Sequence, residues 1–418
     1  MILKLARKSL WNRRGTAILT LVSLAISVAL ILGINHLRHQ AKQSFTSTIS
    51  GTDLIVGARS GQANLLLYSV FRIGNATNNI SRESYEAIKK SRDIEWTIPL
   101  SLGDSPRGFR VLGTDHNYFD HYRYGDRRAL AFSAGGPFSR IYDTVLGAQV
   151  ARELGYTIGQ EIVIAHGLGD VSFSMHDDKP FTVVGILEPT GTPVDRTVHV
   201  RLEGIEAIHL GWQHGARMPG RGVSAEEALQ RELEPEAITA FLVGLKSRMA
   251  TFRLQRAINE YRKEALTAIL PGVALAELWD VLGMVENMLI VVAFLVLLAT
   301  LVGMTTTLLS SMKERQRELA ILRAVGAHAG YLFALIEIEA LLLAAAGVAF
   351  GILLLSLSLF MLQPWLAAEY GLFISANPLN SEALLITAGV MLLAALLSLI
   401  PAMVAYRRAL ADGLSVRL

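Results

Sequence analysis

The sequence predicts a membrane protein of four transmembrane α-helices carrying one large α+β domain outside the membrane. Three observations point there. The 418 residues are 52% hydrophobic and only 18% charged, against about 25% charged in soluble domains. The apolar residues gather in one block near the N-terminus and three near the C-terminus. The long middle is mixed, polar and glycine-rich, as in an ordinary globular domain.

Residues 1–15 form an amphipathic lead with Lys4, Arg7, Lys8, Arg13 and Arg14. Thr16 to Ile34 is an uncharged apolar run, close to the ~20 residues a helix needs to cross hydrocarbon. It exceeds the length of a signal-peptide core and is read as a retained first span, 16–37, with Asn35 to Ile49 extending it as a helical stalk. The outer domain then covers 38–283. A second span, 284–312, contains the run Asn287 to Met312 and is followed by Lys313, Arg315, Arg317 and Arg323 in the segment 313–330. The third span is 331–362, an outer loop 363–381 follows, and the fourth span, 382–406, leads through Arg407 and Arg408 into the tail 407–418. Basic residues beside short loops mark the cytoplasmic side, so both termini and the 313–330 segment are expected inside.

Within the outer domain, short apolar runs bounded by turn residues read as strands: Asp53–Val56, Phe109–Leu112, Thr144–Leu146, Glu161–Ala165, Phe181–Leu187 and Ile238–Leu245. Arg82–Ser91, Ser224–Glu232 and Met249–Leu270 read as helices. In the last of these, Leu254, Ile258, Tyr261, Ala265 and Ile269 fall at steps of four and three and form one apolar stripe, which Pro271 and Gly272 end.

The chemistry a sequence can display is sparse here. Without cysteine there are no disulfides, thiolate metal sites or cysteine nucleophiles. No GxxxxGK[ST] phosphate loop, GxSxG elbow or HExxH pair occurs. The net charge of +3 is small, and the Lys/Arg clusters flank apolar runs, which argues against nucleic acid as a partner. Glu286, at the outer mouth of the second span, and Glu337 and Glu339, in the first turns of the third, are expected to reach water from the membrane edge. His166, His176, Asp177, Asp178, His199, His209 and His214 are candidate Zn²⁺ ligands by residue type. Their loose spacing fits ordinary surface and loop residues equally well.

One stretch carries a family resemblance. ERQRELAILRAVGAHAGYLFALIEIEALLLAAAGVAFG, Glu314 to Gly351, resembles the signature of the FtsX-like/MacB-like (type VII) ABC permeases. Glu314, Arg315, Arg317, Glu318, Leu322, Arg323, Ala324, Gly326, Glu339 and Ala340 match it. LARKSLWNRRGTAILTLVSLAISVALIL, from Leu5, is similar to the family's lead and first helix. FRVLGTDHNYFDHYRYG, VLGAQVARELGYTIGQEIVI and FTVVGIL resemble its outer domain.

The resemblance implies a porter-type outer module with a smaller α/β module inserted at about 115–235. It implies a bacterial inner membrane location and a pairing with a second permease chain. It also implies an ABC ATPase subunit, which would bind ATP and Mg while this chain holds no cofactor and is no enzyme itself. Glu314, Arg315, Arg317, Glu318, Leu322, Arg323 and Gly326 would contact that ATPase. The implied work is mechanotransmission: export, extraction or release of a load, with a periplasmic adaptor or substrate protein and membrane lipid as further partners. The alternative reading is an FtsX-type regulator of an extracytoplasmic enzyme. Two departures stand out. The end reads ALADGLSVRL, with Asp412 and Gly413 where the family has proline, and Gly57 to Asn79 has no counterpart.

Overall fold

In chain order the elements of the computed structural model are α1 (Ile2–Asn12), α2 (Arg14–Thr48), β1 (Leu54–Ala58), α3 (Gln62–Ser69), α4 (Arg82–Lys89), β2 (Ile94–Leu102), β3 (Arg110–Thr114), α5 (Asn117–His121), β4 (Phe132–Gly135), β5 (Asp143–Leu146), α6 (Ala148–Leu154), β6 (Glu161–Ile162), β7 (Phe181–Leu187), β8 (Thr197–Arg201), α7 (Leu202–His209), α8 (Ala225–Leu229), β9 (Ala240–Leu245), α9 (Thr251–Asn259), β10 (Leu266–Ile269), α10 (Pro271–Glu314), α11 (Gln316–Ala324), α12 (Ala329–Tyr370) and α13 (Ser381–Ala411). Three further two-stranded ribbons occur among the described residues. Those residues are 2–103, 108–164, 179–210, 212–213, 216–217, 224–231, 233–314, 316–370 and 375–411. The chain divides into an outer unit, Ala41–Val281 with Leu366–Phe373, and a membrane unit made of Met1–Gln40, Leu282–Trp365 and Ile374–Leu418.

The outer unit is built on one sheet in the order β10-β1-β9-β2-β3-β8-β5-β7-β4, with β6 on β7. Its first half is covered on both faces, which is why its strands read as near-continuous apolar runs. Alternation still sorts the side chains. Ile55, Ile98, Leu100 and Leu242 join Leu65, Leu66 and Tyr68 of α3. Leu54, Val56, Phe241 and Val243 join Tyr85 and Ile88 of α4 and Leu254 and Ile258 of α9. The second half has its own core, in which Val150 of α6 and Ile208 of α7 pack on Val111, Leu146, Val183 and Val198. Among the described residues the strands of the two halves pair at Ser101↔Gly113 and Leu102↔Leu112, and Leu112, Val145 and Leu187 of the second half join the first half's core.

Three expectations are corrected. The inserted half begins before Arg110 and not at 115, because β3 pairs over its whole length with β8, Thr197↔Arg110 to Arg201↔Thr114. The helix expected over Met249–Leu270 stops at Asn259. Its side-chain Oδ1 accepts from the Ala268 amide at 2.7 Å, and Leu266–Ile269 turns back as β10 beside β1. The apolar spacing continued across this reversal because Leu254 and Ile258 on the helix and Leu266 and Ala268 on the strand serve one core. Pro271 therefore opens α10 instead of closing a helix, a position that suits a residue without an N–H. Finally, α12 runs past 362 through Pro364 to Tyr370, shortening the expected outer loop. Proline removes one helical bond, and Ala367, Ala368 and Glu369 are strong helix formers.

In the membrane unit, four helices are long and apolar enough to span: Arg14–Lys42, Pro271–Met312, Ala329–Leu366 and Ser381–Leu410. Only 22–39% of each span's most apolar window is buried within the chain, so most of that surface suits lipid and not a protein core. α12 meets α2 through glycines: a Cβ on Gly351 would lie 2.8 Å from the Ala25 carbonyl oxygen, and one on Gly347 would strike Leu24. Between α2 and α10, the Ser27 and Thr300 hydroxyls share a hydrogen bond of 2.9 Å.

Candidate functional site

The connection between α10 and α12 holds the matched segment. Glu314 closes α10, and α11 carries Arg317, Glu318, Leu322 and Arg323, while Arg315 lies outside the described residues. α11 is nine residues long and ends in a Schellman motif. The Ala327 amide donates to the Leu322 carbonyl at 3.0 Å and the Gly326 amide to the Arg323 carbonyl at 2.9 Å. This closure puts Gly326 at φ +101°, a conformation that side chains with a Cβ resist. Gly326 thus shapes the end of the helix. At the start of α12, His328 Nδ1 accepts from the Tyr331 amide at 3.1 Å.

Exposure reorders the expected contacts. Glu318 is exposed, but Leu322 and Arg323 are half-buried. Among the described side chains here, Ile321, 63% exposed, and Val325, 84% exposed, are open apolar residues one helical turn apart. Sequence reading missed this pair. Its signal was present as an apolar i, i+4 step on a polar segment, but choosing it over Leu322 needed knowledge of which face packs.

The three glutamates differ. Glu286 on α10 is partly exposed and pairs with Arg38 of α2 at 3.0 Å. Glu337 accepts from the Ser398 hydroxyl of α13 at 2.8 Å. Glu339 does not reach water, contrary to expectation: it is 1% exposed and lies 3.2 Å from the Arg13 guanidinium. Arg13 sits at the corner between α1 and α2 and supplies the positive charge that lets a carboxylate stay buried. Arg13 read only as one of several flanking charges in the sequence.

Of the metal candidates, His199 and His209 lie among the described residues. Among the described residues no group of three or more His, Cys, Asp or Glu could hold an ion. His199 is a correction: it is fully buried on β8, its ring 5.1 Å from that of Tyr118, and its Nδ1 lies 3.2 Å from the Val145 carbonyl. Burial holds its pKa down at about 3, with the Arg72 charge adding to the effect, so it is a neutral packing residue. His209 Nδ1 lies 2.7 Å from its own helix's Ile205 carbonyl. His166, His176, Asp177, Asp178 and His214 lie outside the described residues.

Comparison with known proteins assigns the two units. Residues 17–260 match the MacB-like periplasmic core domain, and residues 290–410 match the FtsX-like permease C-terminal domain. No curated protein sequence matches the chain. Among solved structures, the periplasmic region of MacB from Actinobacillus actinomycetemcomitans aligns at 11% identity and TM-score 0.34, covering 55% of this chain and 94% of that one. The extracellular domain of a noncanonic ABC-type transporter, YknZ, from Gram-positive bacteria aligns at 13% identity and TM-score 0.31, covering 52% and 99%. With its four apolar helices, its mixed α/β outer domain and these two matched regions, the chain belongs to the MacB-like, FtsX-like family of ABC transporter permeases.

Proposed function

We propose that this chain is the membrane subunit of a bacterial inner-membrane ABC complex, paired with a second permease chain. In this reading both termini and α11 are cytoplasmic and the outer unit is periplasmic. A partner ATPase binds ATP and Mg and grips α11, since this chain has no phosphate loop of its own. The carrying observation is the exposed Ile321–Val325 step on a short, glycine-terminated helix joining two spans. Apolar side chains left open beside charged ones are the composition of a protein contact.

Mechanotransmission fits the rest of the chain. α2 and α10 are single helices of 35 and 44 residues, each longer than the ~20 residues a span needs. Polar groups of the membrane unit pair across helices, Arg13 with Glu339, Glu337 with Ser398 and Ser27 with Thr300. Groups bonded to one another line a hydrated pathway poorly. The load is then handled on the outer side, as a peptide, a hydrophobic compound or a lipoprotein.

Val325→Asp tests this reading, because Val325 is exposed and its loss leaves the chain's own packing intact. The variant is expected to insert and purify normally. It should lose copurification with the ATPase and stimulation of ATP hydrolysis by at least about tenfold, as truncating an interface anchor does. Full retention of both would refute the contact.

A further inference from the structure

α1 and α11 enclose an open groove of about 920 Å³, within the range of about 300–1,000 Å³ that binding clefts occupy. Leu5, Lys8, Ser9 and Trp11 form one wall, and Ile321 and Leu322 the other. Trp11 is 75% exposed, a large apolar surface uncovered by the chain. The Ser9 hydroxyl is buried and has no hydrogen-bond partner among the described residues.

We infer that this groove is the second half of the ATPase socket, and that it receives an apolar side chain of the ATPase flanked by carboxylates. The inference rests on the coupling role proposed for α11. Charge supports it: α1 carries Lys4, Arg7 and Lys8 with no acid, and Arg7 and Lys8 outnumber Glu318 around the groove. Helical geometry favours a water-side protein over lipid. Leu3 and Leu10, two turns apart, share one side of α1; Leu5, Lys8 and Asn12 of the groove fall on the other, and Arg7 and Trp11 lie between. An interfacial helix turns its apolar side to acyl chains and its basic side to water.

The wall is also held in place. Arg13, immediately after α1, is tied to Glu339 on α12, the helix into which α11 leads. The α1 wall is thus anchored at its end, which lowers the ordering cost of binding a partner there.

The test replaces Trp11, and separately Ile321, with a photoreactive benzoylphenylalanine in the full-length chain, irradiated in cells. An adduct at position 11 whose peptides come from a protein with a GxxxxGK[ST] loop supports the inference. An ATPase adduct at 321 together with only phospholipid adducts, or none, at 11 overturns it and leaves the coupling role of α11 standing. Absence of ATPase adducts at both positions overturns both readings. Independently, Trp11→Ala should weaken binding of the co-isolated ATPase about tenfold, while Leu3→Ala leaves it unchanged. Equal affinities for Trp11→Ala and the wild type sink the proposal.

Discussion

Burial acts on Asp115 and His199 in opposite directions. Desolvation raises the Asp115 carboxyl to about 7, and its Oδ1 is buried without a hydrogen bond among the described residues. The folded state then holds this proton up to about pH 7, while the unfolded chain releases it near 3.8. Stability from this group is present at low pH and is lost as pH rises from about 4 to 7. His199, held at about 3 when folded, works the other way: the unfolded chain gains a proton below the ordinary histidine value of 6.5 and stability falls on acidification. Asp115→Asn is therefore expected to stabilise the outer unit at pH 8, by at most about 4 kcal/mol, and to match the wild type near pH 4. Hydrogen exchange of outer-unit amides in the full chain reads this directly, and equal protection at pH 8 would contradict it. Neither shift was legible in the sequence. Asp115 followed a strand and His199 stood among loop-like histidines, and only the packing of Tyr118 against His199 separates a core residue from a ligand.

At the scale of elements, the spans were legible because about 20 apolar residues in a row have few other readings. The strands Phe181–Leu187 and Thr144–Leu146 declared themselves through bounding turns. β10 did not, since four residues cannot outvote a helical spacing that runs into them. α11 was legible as a segment, yet its working face was not, because exposure depends on what packs behind it. Its glycine cap gives a separate handle. A Cβ on Gly326 would touch nothing within 4 Å, so Gly326→Ala acts only through backbone conformation, at about 1–2 kcal/mol. That substitution should fray the end of α11 and reduce permease-stimulated ATP hydrolysis severalfold without loss of insertion. Gly326→Asn, which tolerates a left-handed backbone better, should retain more. Identical activities for the three proteins would show that the Schellman closure is dispensable.

For the whole molecule, the order of apolar and basic segments carried the architecture, whereas the junction of the sheet halves at two residue pairs lay beyond it, since pairing between distant segments leaves no local pattern. The proposed orientation is open to a direct check, because the chain has no native cysteine. Ser133→Cys in the outer unit and His328→Cys beside α11 are both exposed positions. In intact cells stripped of an outer barrier, an impermeant thiol reagent should label the first and spare the second. Equal labelling would overturn the topology.

The Arg13–Glu339 pair also bears on how the protein is made. Arg13 leaves the ribosome long before Glu339 does, and more than half the chain, including the outer unit, lies between them. An unpartnered carboxylate entering the bilayer within a helix carries a penalty of a few kcal/mol. Span three thus completes its insertion against a partner made 326 residues earlier, and the corner between α1 and α2 acts in assembly as a landing point for a late-arriving charge.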